Sequence, residues 1–116
     1  MPVGADRLSE QAASCICFSS PFDRFKTRLE LGMDRMFSEV TLLSCPVCGQ
    51  IWLRYHYENE AFTGSGRWYL GAVTVEQAAS LTSENARTTL EGLSWYFYGG
   101  SYFQGQTGRS SGVIYL

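Results

Sequence analysis

Lysine is nearly missing from this 116-residue chain: Lys26 stands alone, and arginine supplies the rest of the nine basic charges. Set against eleven acids, these leave a net charge of -2, so no overall positive field exists to hold a phosphate backbone. Nucleic-acid binding is therefore a minority reading, one that would need exposed aromatics beside a local arginine patch. No run of about 18 apolar residues is present, which excludes a membrane-crossing helix of ordinary length. The opening MPVGADRLSE lacks the apolar stretch of a signal peptide, and the expectation is a soluble, cytoplasmic protein without membrane association. A nucleophile elbow is also missing. The glycine clusters Gly64-Ser65-Gly66 and Gly105-Gln106-Thr107-Gly108 lack the strand and helix context of a phosphate-binding loop, so they read as turns.

What the chain does have is apolar and aromatic mass. Hydrophobic residues make up 45% and aromatics 15%, which excludes disorder throughout, and the length suits one ordinary core rather than two. Residues 1–14 hold few anchors and are expected to form a flexible tail, leaving 15–116 as a single α+β domain. From Phe22 to Leu31 the spacing fits both a helix and a strand. Val40 to Leu43 reads as a strand, and Ile51 to Tyr57 alternates clearly, with Ile51, Leu53, Tyr55 and Tyr57 on one face and Trp52, Arg54 and His56 on the other. Arg67 to Leu70 folds back as a hairpin partner. Thr74 with Gln77 three residues on is a capping box for a helix over Val75 to Leu81. A second helix is expected from Thr82 or Ser83 through Leu90, Leu93 and Phe97, stopped by Gly99-Gly100. The architecture expected is a small antiparallel sheet with a C-terminal helical region.

The four cysteines fall as Cys15-x-Cys17 and Cys45-x-x-Cys48, with 27 residues between the pairs and none left over. Two thiolates across the tight turn Cys45-Pro46-Val47-Cys48-Gly49 can face one ion, since Pro46 restricts the turn and Gly49 tolerates a costly backbone geometry. This turn resembles the metal knuckle of zinc-ribbon-like proteins. Cys15 and Cys17 would complete a tetrahedral, all-thiolate site in which structural Zn2+ crosslinks the N-terminal segment to a strand pair. Two disulfides, free core thiols and a redox-active pair stay open as alternatives.

No catalytic set accompanies the cysteines. His56, the only histidine, has Glu58 and Glu60 nearby in sequence and would have to meet an open metal position for a zinc-containing enzyme to result. Trp52, Arg54, Glu58, Glu60, Arg67, Trp68 and Tyr69 gather aromatic, acidic and arginine side chains around one hairpin, the chemistry of a protein interface. Core packing is the competing use of the same aromatics, and it is the first reading for residues 95–103. The functional expectation is stoichiometric binding of another protein, as an adaptor, inhibitor or toxin-neutralising protein, with a homo-oligomer as one form such binding could take.

Overall fold

A computed structural model describes residues 15–19, 22–59 and 61–116. The expected tail over residues 1–14 and the proposed contact residue Glu60 lie outside them. Six strands form one antiparallel sheet in chain order: β1 (Lys26–Met33), β2 (Glu39–Ser44), β3 (Ile51–Tyr57), β4 (Arg67–Val73), β5 (Tyr96–Gly99) and β6 (Gly108–Ser110). Two helices, α1 (Val75–Ser80) and α2 (Ala86–Gly92), connect β4 to β5. The α+β architecture thus matches the sequence expectation, and within Phe22 to Leu31 the choice falls to strand from Lys26 onward, with residues 22–25 in neither helix nor strand.

Strand alternation builds a core on each side of the sheet. On the helix face, Val40, Leu42, Ile51, Leu53, Tyr55, Tyr69 and Val73 pack with Leu81, Ala86, Leu90 and Ile114. Gly71 sits on this face because a Cβ there would collide with the side chains of Leu90 and Leu93. On the opposite face, Leu43, Trp52, Leu70 and Phe97 lie beneath an N-terminal arm that contributes Cys15, Cys17, Phe18, Phe22 and Phe25. The arm's rings continue the sheet's aromatic packing: Phe18 meets Trp52 edge-on at 4.6 Å between centroids, and Phe22 lies 4.5 Å from Phe97. Arg109, from β6, lies over Trp95 at 4.2 Å.

The helices follow local signals only in part. Thr74 and Gln77 form the full capping box, each side chain bonding the other's backbone N–H. The second helix, however, ends at Gly92 rather than running to Phe97. Residues 96–99 pair with β4 instead, which directs Tyr96 and Phe97 into opposite cores; a helix would have placed only one of those faces inward. Reciprocal bonds between Thr82 and Asn85 open the preceding turn, so the start signal at Thr82 is real although Asn85 occupies the cap. The C-terminal stretch from Val113 is irregular rather than a strand, yet Ile114 is buried and its backbone N–H donates to Glu91 at 2.8 Å.

At the end of the sheet away from the cysteines, Tyr55 is buried with its hydroxyl donating to the Asp34 carboxylate. Burial, reinforced by that neighbouring carboxylate, pushes the phenol up to about 12, and burial also raises Tyr69 and Tyr96. An unfolded phenol titrates at about 10, so above that pH the unfolded chain has released a proton that folded Tyr55 still holds. The stability tied to Tyr55 is therefore intact below about pH 10 and is lost as pH climbs towards 12. Alkaline titration followed by phenolate absorbance and circular dichroism should show Tyr55 ionising together with unfolding. Full ionisation of all seven tyrosines in a chain that keeps its native spectrum would contradict this.

Candidate metal centre

Each cysteine pair is presented by a short hydrogen-bonded turn. Cys15 precedes a 3-10 turn over Ile16–Phe18, with the Phe18 N–H donating to the Cys15 carbonyl at 3.1 Å. This tight winding leaves Ile16 exposed and sends Cys17 inward to 2% exposure. The second pair occupies the β2–β3 connection. There the Cys45 N–H donates to the Gln50 carbonyl at 3.0 Å and the Gly49 N–H to the Cys45 carbonyl at 2.9 Å, closing the knuckle. Gly49 has φ of +79°, a left-handed conformation that explains glycine at this position. Gln50 secures the exit by donating to the Ile51 and Val73 carbonyls at 2.8 and 3.0 Å.

The two turns bring Cys15, Cys17, Cys45 and Cys48 together, with all four sulfurs within 4.8 Å of one another. The cross-pair separations are 3.7 Å for Cys15 to Cys45 and 3.6 Å for Cys17 to Cys48. A tetrahedron with metal–sulfur bonds of about 2.3 Å has sulfur–sulfur edges of about 3.8 Å, so these spacings fit a tetrathiolate metal site. All four cysteines are free thiols here, consistent with ligation rather than disulfide formation. The predicted ligand set is thus assembled by the fold, with residues about thirty positions apart in sequence brought onto one point.

The four thiols differ in how firmly their surroundings hold the proton. Burial drives the Cys17 thiol far above its ordinary range, with the Cys48 thiol adding to the rise, and burial also raises Cys48. At Cys45 burial acts in the same direction but is outweighed by the backbone N–H groups of Cys48 and Val47, which hold the thiol down to about 7. The Val47 N–H points at the Cys45 sulfur at 3.4 Å. A divalent metal would displace the protons that burial retains and neutralise thiolates that could not otherwise crowd together. Beneath them, the indole Nε1 of fully buried Trp52 has no partner within hydrogen-bonding geometry among the described residues; the group it faces is the Cys17 sulfur.

The other sequence-selected residues do not converge on the cysteines. His56 pairs with Glu39, five positions along β3 from the Ile51–Ser44 pair at the knuckle, or about 17 Å at ~3.4 Å per residue. That separation keeps it from completing the thiolate cluster. Trp52, Arg67 and Tyr69 are buried, which withdraws them from the surface of the folded domain. Trp52 lies under the arm. Arg67 stacks on Tyr102 at 3.7 Å and donates to the Ser65 and Tyr115 carbonyls. Trp68 is half-buried against Phe22, leaving Arg54 and Glu58 as the exposed members of that set. Sequence reasoning had no signal for the arm's role, because Phe18, Phe22 and Phe25 acquire a shared face only once the Cys15–Cys17 turn lies against the sheet.

Among the described residues, no helix is long and apolar enough to cross a membrane. No family model matches the chain, and comparison with curated proteins and with solved structures gives no match.

Proposed function

We propose that this chain is a zinc-braced protein-binding domain, in which Zn2+ on Cys15, Cys17, Cys45 and Cys48 fixes the fold and stoichiometric binding of another protein is its activity. The observation that carries the metal half is the pair of 3.6 and 3.7 Å sulfur separations, matched to the edge of a thiolate tetrahedron. Four thiolates leave no position for a water molecule, which favours a structural brace over a Lewis-acid centre. Reduced thiols of this kind suit the cytoplasm. The binding half draws support from large apolar side chains left outside both cores, notably Met33, Met36 and Phe37. Such a module acts as an adaptor, an inhibitor or a toxin-neutralising protein.

Metal analysis of the chain purified without added metal tests the first half: one zinc per chain, with all four thiols protected from alkylation, is the expected result. One iron per chain would replace the structural reading with an electron-transfer site, since tetrahedral thiolates also suit iron. A folded, metal-free chain with freely reactive thiols would remove the metal from the account. For the second half, mass measurement of a purified complex should give a fixed ratio of this chain to its protein partner.

A further inference from the structure

The β1–β2 connection, residues 34–38, is a rigid loop. The Asp34 carboxylate accepts from the Met36 and Ser38 N–H groups at 2.9 and 3.0 Å and from the Tyr55 hydroxyl. Backbone bonds from Asp34 to the Ser38 carbonyl and from Phe37 to the Asp34 carbonyl close it further. Both Tyr55 and Ser38 are fully buried, so the loop is clamped at its base to the helix-face core.

At the tip of this clamp stands Phe37, with φ of +61° and the residue 77% exposed. A bulky side chain in the left-handed region is disfavoured where glycine or asparagine would be comfortable, and here the phenyl ring gains no burial in return. Folding alone gives no reason for this residue at this φ. Local strain without a folding benefit points to a surface role. Phe37 lines an open groove of about 670 Å³ with Met33, Met36, His56, Tyr57 and Glu58. The methionines are adaptable apolar walls suited to an irregular protein segment.

Charge sets the partner. Arg35, the cation at this site, is engaged by Glu84 through its side chain at 3.4 Å and its backbone N–H at 3.1 Å. Glu39 and Glu58 also line the groove, are exposed, and form no ion pair among the described residues. We propose that this groove is the docking site for a partner protein's segment that carries a large apolar side chain beside a lysine or arginine. The apolar side chain packs against Phe37 and the methionines, and the cation meets Glu39 and Glu58. This deepens the protein-binding reading above and is independent of which metal the cysteines hold.

The test uses the full metal-loaded chain, a displayed random-peptide library, and Phe37→Gly and Glu39→Gln/Glu58→Gln variants. Enriched peptides should pair an aromatic or long aliphatic residue with an adjacent lysine or arginine. Their affinity should fall about tenfold or more in Phe37→Gly, the loss expected of a central apolar anchor. The double glutamine variant should bind more weakly and with less dependence on salt. Phe37→Gly should also keep its metal and melt at the same or a higher temperature, because glycine relieves the left-handed strain; a residue serving the fold would lower it. Peptides without a basic residue, or binding unaffected by Phe37→Gly, would overturn the proposal. So would a groove occupied by a second copy of the chain or by lipid vesicles. A protein partner whose binding survives Phe37→Gly would overturn the groove while leaving the broader protein-binding reading in place.

Discussion

Stripping the metal with a strong chelator, or replacing Cys45 with serine, is expected to free the N-terminal arm from the sheet and lower the melting temperature by more than about 10 °C. In small zinc domains the apparent metal-binding free energy is about 10–16 kcal/mol, and it becomes folding free energy when no site exists in the unfolded chain. Here the site joins segments about thirty residues apart, so it meets that condition. Only part of the free energy will register as lost stability, since the helix-face core of Val40, Leu53, Tyr55 and Leu90 makes no use of the cysteines. A loss of even ~3 kcal/mol in a domain of about 100 residues corresponds to roughly 12–24 °C. Phe18, Phe22 and Phe25 would then lose their fixed places over Trp52, Trp68 and Phe97. Tryptophan emission should shift to the red as the arm lifts, and amide exchange should accelerate first in the arm. An unchanged melting curve after complete chelation would show that the aromatic contacts hold the arm by themselves.

Trp52 should give the largest effect of any single core substitution, and two replacements separate its roles. It is fully buried, packs against Phe18, Phe25 and Phe97, and occupies the centre of the arm-covered face. Trp52→Ala removes that mass and is expected to cost about 3–5 kcal/mol by denaturant unfolding. Trp52→Phe retains a ring but removes the indole N–H that faces Cys17. That N–H has no hydrogen-bond partner among the described residues, and a donor turned to an ionised sulfur would stabilise the negative charge a metal ligand must carry. The phenylalanine variant should remain folded yet hold zinc about 10–100-fold more weakly in competition with a chromophoric chelator. Equal zinc affinity in the two proteins would reduce the indole to a packing group.

The cysteine cluster was legible in the sequence because each of its halves is local. Pro46 and Gly49 specify a turn within six residues, and a turn that fixes two thiols needs no knowledge of the rest of the fold. The same holds for Ile51 to Tyr57, whose alternation survives intact as β3, and for the Thr74–Gln77 capping box. Where the spacing served two periods, local reading failed. Leu90, Leu93 and Phe97 suit one helix face, but Gly71 makes room for Leu90 and Leu93 while the sheet claims Phe97 from its other side. β6 carried no apolar signal at all: it pairs through its backbone, and Gly108 is required because a Cβ there would fall 2.6 Å from the Tyr98 hydroxyl oxygen. Trp52, Arg67 and Tyr69 were read as surface groups for a related reason, although the structure buries them. Residue type alone cannot distinguish an aromatic that meets a partner from one covered by the protein's own arm, as Trp52 is.

The order of the strands bears on how the molecule is made. Because β1 through β6 lie side by side in the order of synthesis, each new strand pairs with the one just completed, and no pairing waits for a distant segment. Chain-order pairing keeps the loop closed at each step shorter than a crossover connection would. The arm is the exception, since it is synthesised first but can dock only after β2, β3 and β5 have formed the surface it covers. If the cysteines hold a metal as proposed, its capture would be a late event in assembly, a latch closed on a sheet already built. On that proposal, a cell short of zinc would accumulate chains with an ordered sheet and an uncovered aromatic face, a form open to aggregation or proteolysis.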